Sequence, residues 1–69
     1  MSAMYQIWTP TEPRQLLKCT HDGDTACDFA ASGWDVEILE DRDGTGYHHW
    51  YPISAREIDA KLRAEVIAP

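Results

Sequence analysis

A β-hairpin pattern in the middle of the chain constrains the fold more than any other sequence feature. Residues 34–41 alternate apolar with mostly acidic side chains, as expected for a strand with one face in a core. The sequence Asp-Gly-Thr-Gly at 43–46 is a turn signal, and residues 47–51 predict the returning strand, which Pro52 ends. An antiparallel pair of strands is therefore the centre of the predicted fold.

The sequence after this hairpin predicts a helix. Ser54 and Glu57 have the spacing of a capping box, in which each side chain satisfies a backbone N–H of the first turn. Ile53 precedes the cap and can close a hydrophobic staple against Ile58. Apolar residues then recur at four-residue spacing, at Ile58, Leu62 and Val66.

A shorter helix is predicted before the hairpin. Asp24 is a candidate N-cap, residues 25–32 follow as the helix, and Gly33 is the C′ residue. Its apolar face is narrow and is formed by Ala26, Phe29 and Ala30.

The first third of the chain completes the fold prediction. Residues 3–8 are rich in aromatic and β-branched side chains and predict a strand, and the two prolines in residues 9–13 predict a turn. Residues 14–21 are interpreted as a second strand, although part of this segment could be helical. The prediction is a single α+β domain over residues 1–69, with a small antiparallel sheet of about four strands and two helices in the order strand, strand, helix, strand, strand, helix.

Composition and the N-terminal sequence indicate where such a chain works. Of its 69 residues, 43% are hydrophobic, which is typical of a globular protein. The first residues lack the basic and apolar regions of a signal peptide, and no segment has the roughly 20 apolar residues of a membrane helix. We therefore expect a soluble cytoplasmic protein without a membrane partner, with Cys19 and Cys27 reduced.

Negative charge is concentrated in one part of the chain. The net charge is −6, and residues 22–43 contain eight acidic residues and one basic residue, Arg42. The acidic residues are candidate partner-binding residues: Asp22, Asp24, Asp28, Asp35, Glu37, Glu40, Asp41 and Asp43. Such a segment repels nucleic acid and favours a basic partner, so no direct nucleic acid binding is expected. The alternative is that these residues have no binding role and form a solvated face that keeps the protein soluble.

The spacing of two of these acids suggests how they could act. Asp35 and Glu37 alternate with apolar residues and should share the outer face of one strand. Alternate residues of a strand lie about 7 Å apart, which is similar to the separation of successive phosphates along one DNA strand. The preceding loop and helix, with their own acids, should lie nearby because the connection is short.

Metal-binding residues are poorly spaced. Cys19, His21 and Cys27 could in principle bind zinc, but their spacing matches no common structural site. His48 and His49 are adjacent on a predicted strand and should point to opposite faces. We therefore predict no metal site and no cofactor.

Catalytic signatures are also absent from the sequence. Cys19 and His21 could share a strand face as nucleophile and base, but no residue is placed to orient the imidazole. The chain contains no Walker loop, dinucleotide fingerprint or Gly-x-Ser-x-Gly sequence. We therefore predict that the protein is not an enzyme.

These traits together resemble those of the small phage-encoded anti-CRISPR proteins. The likeness lies in the size, acidity and α+β pattern of the whole chain, and Tyr-Gln-Ile-Trp-Thr-Pro-Thr-Glu-Pro-Arg at 5–14 is similar to an inhibitor of type I-C systems. The resemblance implies a DNA mimic acting in the host bacterial cytoplasm on a type I CRISPR surveillance complex, and the likeness at 5–14 points to type I-C. Its implied partner is the large subunit that reads the PAM and binds DNA.

Two functions are therefore expected as alternatives. The first is a non-catalytic protein inhibitor whose acidic, phosphate-mimicking face binds a basic nucleic-acid-binding surface and blocks target DNA binding. The second is a small accessory or antitoxin-like interaction module that binds through an apolar aromatic patch around Trp8, Trp50 and Tyr51.

Overall fold

The computed structural model confirms the predicted α+β fold and its order of elements. It describes residues 3–67, with side chains for residues 3–64. The four strands and two helices are β1 (Met4–Trp8), β2 (Leu16–Thr20), α1 (Gly23–Ala31), β3 (Asp35–Glu40), β4 (His49–Pro52) and α2 (Ala55–Ile67). None of the helices in this part of the chain is long and apolar enough to span a bilayer.

The strands form one antiparallel sheet in the order β2-β1-β3-β4. β1 pairs with β2 on one side and with β3 on the other, with Tyr5 opposite both Thr20 and Ile38. The chain from β2 must therefore cross β1 to reach β3, and α1 forms this crossover. β2 and β4 are the two edge strands.

Both helices cover the same face of the sheet. The alternate residues Tyr5 and Ile7 of β1 and Val36 and Ile38 of β3 are buried in one cluster with side chains of α1 and α2, which contribute Ala26 and Ile58. Because strand residues alternate between faces, the intervening side chains lie on the opposite face of the sheet. We call this opposite side the outer face, and no described helix packs against it.

Helix α1 begins two residues earlier than predicted. Its N-cap is Asp22 rather than Asp24, and the Asp22 carboxylate accepts a hydrogen bond from the Asp24 N–H. Gly23 is buried against Leu62 of α2, where an added Cβ would lie 2.6 Å from Cδ2. The predicted C′ glycine is confirmed, since Gly33 follows the helix with φ of 96°.

Helix α2 begins where its capping box predicts. The Glu57 N–H donates to Ser54 Oγ at 3.2 Å, and the Ser54 N–H donates to Glu57 Oε1 at 3.4 Å. Ile53 and Ile58 are both buried in the core, as expected for a staple. The side chain of Val66 lies outside the described residues.

Strand β4 differs from its predicted bounds. Residues 47 and 48 precede it, and Pro52, predicted to end the strand, is its last residue and pairs with Glu37. A proline is tolerated here because β4 is an edge strand, where one side of the backbone needs no partner.

Candidate functional site: an acidic groove at the outer face

The eight predicted partner-binding acids do not form one surface. Asp22, Asp24 and Asp28 lie in the helix layer, and Asp35 and Glu37 lie on the outer face. Glu40, Asp41 and Asp43 lie at the end of β3 and in the loop that follows it. The predicted alternation of Asp35 and Glu37 on the outer face agrees with the burial of Val36 and Ile38 on the other. The helix layer and the outer face lie on opposite sides of the sheet, so the three groups of acids cannot all face one flat partner surface.

Asp22 is committed to the fold rather than to a partner. Besides the Asp24 N–H, its carboxylate accepts a hydrogen bond of 2.8 Å from Thr25 Oγ1. The bond from Thr25 is the main cause that lowers the pKa of Asp22, and the nearby Lys18 adds to it. This carboxylate therefore serves as a helix cap.

Asp41 organises the loop that joins β3 to β4. Its two carboxylate oxygens accept hydrogen bonds from the backbone N–H groups of Gly44, Thr45 and Gly46, the last at 2.8 Å. The bond from Gly46 is the main cause that lowers the pKa of Asp41. Asp43 is exposed in the same loop.

Glu40 is neutralised by two cations. Lys61 of α2 donates to one carboxylate oxygen at 2.8 Å, and Arg42 donates to the other at 2.9 Å. The bond from Lys61 is the main cause that lowers the pKa of Glu40. Arg42 also lies 4.0 Å from the ring centroid of Tyr51. Glu40 therefore joins β3 to α2 and has little capacity left for a partner.

The helix layer carries a second acidic region. Burial is the main cause that raises the pKa of the Cys27 thiol. The negative charges of Asp59, Asp28 and Asp24 raise it further, so these carboxylates lie near the thiol. Asp59 lies outside the acidic segment, and only the packing of α2 against α1 brings it here. Asp59 also pairs with Arg63 at 2.8 Å, one turn away.

The outer face is partly apolar and holds a guanidinium group. Trp8 lies opposite Asp35. Above the indole ring of Trp8 lies the guanidinium of Arg14, with Cζ 4.7 Å from the ring centroid. The same guanidinium lies 3.8 Å from a carboxylate oxygen of Glu37. Trp8 Nε1 is buried and has no hydrogen-bond partner in the described part of the molecule. Arg14 therefore bridges an aromatic ring and a carboxylate on two neighbouring strands.

A groove of about 570 Å³ lies beside this bridge at the edge of the sheet, where β3 extends past the end of β4. It runs from the outer face to the helix layer, since Ala30 of α1 and Ala55 of α2 also line it. Its ionisable side chains are three carboxylates and one guanidinium, from Asp35, Glu37, Glu57 and Arg14. The half-buried Trp34 also lines it, and its ring meets Phe29 edge-on with centroids 5.6 Å apart. We call this cleft the acidic groove. Arg14 and Glu57 were not predicted to belong to a site, because they lie far from Glu37 in sequence and carry no local signal of the groove.

The predicted aromatic patch is divided by the sheet. Trp50 pairs with Leu39 and lies on the outer face, as Trp8 does, whereas Tyr51 pairs with Ile38 and packs against the core. An apolar surface on this side therefore includes Trp8 and Trp50 without Tyr51.

The cysteine and histidine side chains are dispersed. His21 Nδ1 lies 3.2 Å from the carbonyl oxygen of Ala3, and both Cys19 and Cys27 are free thiols. His48 lies before β4 and His49 within it, so they are not neighbours along one strand as predicted. Over residues 3–64 no three such side chains or carboxylates are grouped to hold a metal ion.

Comparison with known proteins returned no match: no protein-family model, no curated protein and no solved structure is significantly similar to this chain.

Proposed function

We propose that this protein is a non-catalytic inhibitor that binds the basic, nucleic-acid-binding surface of a partner protein through the acidic groove. The observation that carries the proposal is the charge balance of the groove, which is lined by three acids, Asp35, Glu37 and the capping-box residue Glu57, and by one base, Arg14. Charge complementarity of this kind increases the association rate and selects against acidic partners.

The geometry of the outer face supports this mode of binding. Asp35 and Glu37 extend from alternate positions of a central strand, so the backbone places their Cα atoms about 7 Å apart on one face. Asp35 is exposed, and the structure gives it no cationic partner among the described residues. A lysine or arginine that normally contacts a DNA phosphate could pair with such a carboxylate.

The proposed partner follows from the resemblance to small phage-encoded anti-CRISPR proteins. In that reading the partner is the DNA-binding large subunit of a type I CRISPR surveillance complex, and binding occurs in the cytoplasm of a bacterial host. The inhibitor blocks target DNA by occupying its basic binding surface, and it does not bind nucleic acid itself.

The test is inhibition of target DNA binding by a purified type I-C surveillance complex. Asp35→Asn combined with Glu37→Gln should weaken inhibition, because each lost carboxylate removes a charge pair with the partner. The matched control is Asp24→Asn combined with Asp28→Asn, which removes the same charge from the helix layer. Weaker inhibition by the first pair alone supports the groove, and weaker inhibition by the control alone places binding on the helices. Full inhibition by both variants would overturn the proposal.

A second candidate function is favoured by the uncovered outer face. Trp8 and Trp50 are half-buried there, with no described helix above them. In this alternative the protein is an accessory or antitoxin-like module that docks through apolar contact. The dependence of affinity on ionic strength distinguishes the two functions. The affinity of a complex held by exposed charges falls as ionic strength rises, whereas that of an apolar complex does not.

A further inference from the structure

The outer face already holds a guanidinium group, and this group belongs to the chain itself. Arg14 Cζ lies 4.7 Å from the ring centroid of Trp8, and Arg14 Nη2 lies 3.8 Å from Glu37 Oε2. An aromatic face beside a carboxylate suits arginine, whose planar cation stacks on rings and pairs with carboxylates. Trp8 and Glu37 lie on adjacent strands, so the sheet fixes their backbones beside each other on the same face.

The contact made by Arg14 is loose. At 3.8 Å the guanidinium is near the outer limit of an ion pair with Glu37, and 41% of the Arg14 side chain remains exposed. The Glu37 side chain is only 19% exposed, so its carboxylate is the more fixed of the two partners. Exposed pairs of this kind contribute little free energy, so replacing Arg14 with another cation loses little.

The acidic groove provides a path for a second cation to this position. Arg14 and Glu37 both line the groove, together with the carboxylates of Asp35 and Glu57. A basic side chain entering the groove therefore meets the Arg14–Glu37 pair directly. Displacement of Arg14 exposes the indole of Trp8 beside a carboxylate.

We infer that Trp8 and Glu37 form an arginine-binding site that Arg14 occupies in the free protein, and that an arginine side chain of the basic partner takes the place of Arg14. This inference rests on the proposed function and names the side chain that the groove receives. Arg14 then acts as an internal competitor that lowers the affinity for the partner, and the Trp8–Glu37 site selects arginine over lysine.

The test uses oligo-arginine and oligo-lysine peptides of equal length as probes, with affinity measured by titration calorimetry. Arg14→Ala should bind oligo-arginine about two- to fivefold more tightly than the wild type, a range set by the weakness of exposed ion pairs. The gain should be smaller for oligo-lysine. Adding Glu37→Gln to Arg14→Ala should abolish the gain.

Arg63→Ala is the matched control. Arg63 pairs with the carboxylate of Asp59 at 2.8 Å, and no aromatic ring among the described residues stacks on it. Both changes remove one positive charge, but only the first opens the Trp8 and Glu37 site. Equal gains for both variants, or no gain for Arg14→Ala, would overturn the inference while leaving the acidic surface as a binding site for cations. No binding of either peptide by any variant would overturn the proposed function as well.

Discussion

Replacing Gly23 with alanine tests the packing of the two helices. Gly23 is the first residue of α1, and its ideal Cβ would lie 2.6 Å from Cδ2 and 3.3 Å from Cγ of Leu62. Carbon atoms in favourable contact are separated by about 3.5–4.0 Å. Leu62 is half-buried and packs against the core cluster, so moving its side chain away from residue 23 loses part of that contact.

Two effects of this change oppose each other. Alanine lowers the entropy of the unfolded chain and favours folding by about 0.4–1 kcal/mol where the backbone suits it. Gly23 is not among the glycines with positive φ, so no backbone strain is added. Overpacking a well-filled site costs about 1–3 kcal/mol. The steric cost is larger, and we expect Gly23→Ala to lower the free energy of unfolding by about 0.5–2 kcal/mol.

Urea and thermal unfolding followed by circular dichroism measure this loss. In a domain of this size, 1 kcal/mol corresponds to a shift in Tm of about 4–8 °C. The decisive control is the same change in a Leu62→Ala background, where the clash is absent and Gly23→Ala should be neutral or stabilising. A gain in stability from Gly23→Ala with Leu62 intact would refute the close approach of α2 to the start of α1.

Three further outcomes are expected. Ser54→Ala should cost about 1 kcal/mol, the usual loss for a helix N-cap, and lower Tm by about 4–8 °C; an unchanged Tm would contradict the capping box. Asp41 has a lowered pKa in the folded protein, so the unfolded chain binds more protons and the contribution of Asp41 is lost as pH falls below its ordinary value of 3.8. The Tm of Asp41→Asn should therefore decrease less than that of the wild type when the pH is lowered. An identical dependence of Tm on pH would show that the loop does not hold this carboxylate. Asp35→Asn with Glu37→Gln should change the free energy of unfolding by less than about 0.5 kcal/mol, because both side chains lie outside the core; a large loss in thermal melting would mean that these carboxylates are structural.

Features set by neighbouring residues could be predicted from the sequence. The cap of α2 depends on Ser54 and Glu57, which are three residues apart, and its hydrogen bonds are present as predicted. The outward position of Asp35 and Glu37 follows from the two-residue period of a strand, which needs no knowledge of the rest of the fold.

Features set by distant residues could not be predicted. Gly23 is buried under Leu62, and nothing near Gly23 in sequence indicates that contact. The acidic groove likewise depends on Arg14 and Glu57, which the sheet order and α2 bring to the edge of β3. The acidic segment at residues 22–43 is evident in the sequence, but in the fold its acidic side chains lie on two sides of the sheet.

The central position of β1 determines how cooperatively the molecule can fold. The β1–β2 and β3–β4 pairs are each local in sequence, but the sheet is joined by the long-range pairing of β1 with β3. The buried cluster likewise takes Tyr5 and Ile7 from the first half of the chain and Val36, Ile38 and Ile58 from the second. Neither half closes a core alone, so the ordering of either depends on the other. Backbone amides of β1 and β3 should exchange with solvent only in global unfolding, whereas those of β2 and β4 can exchange when an edge strand frays.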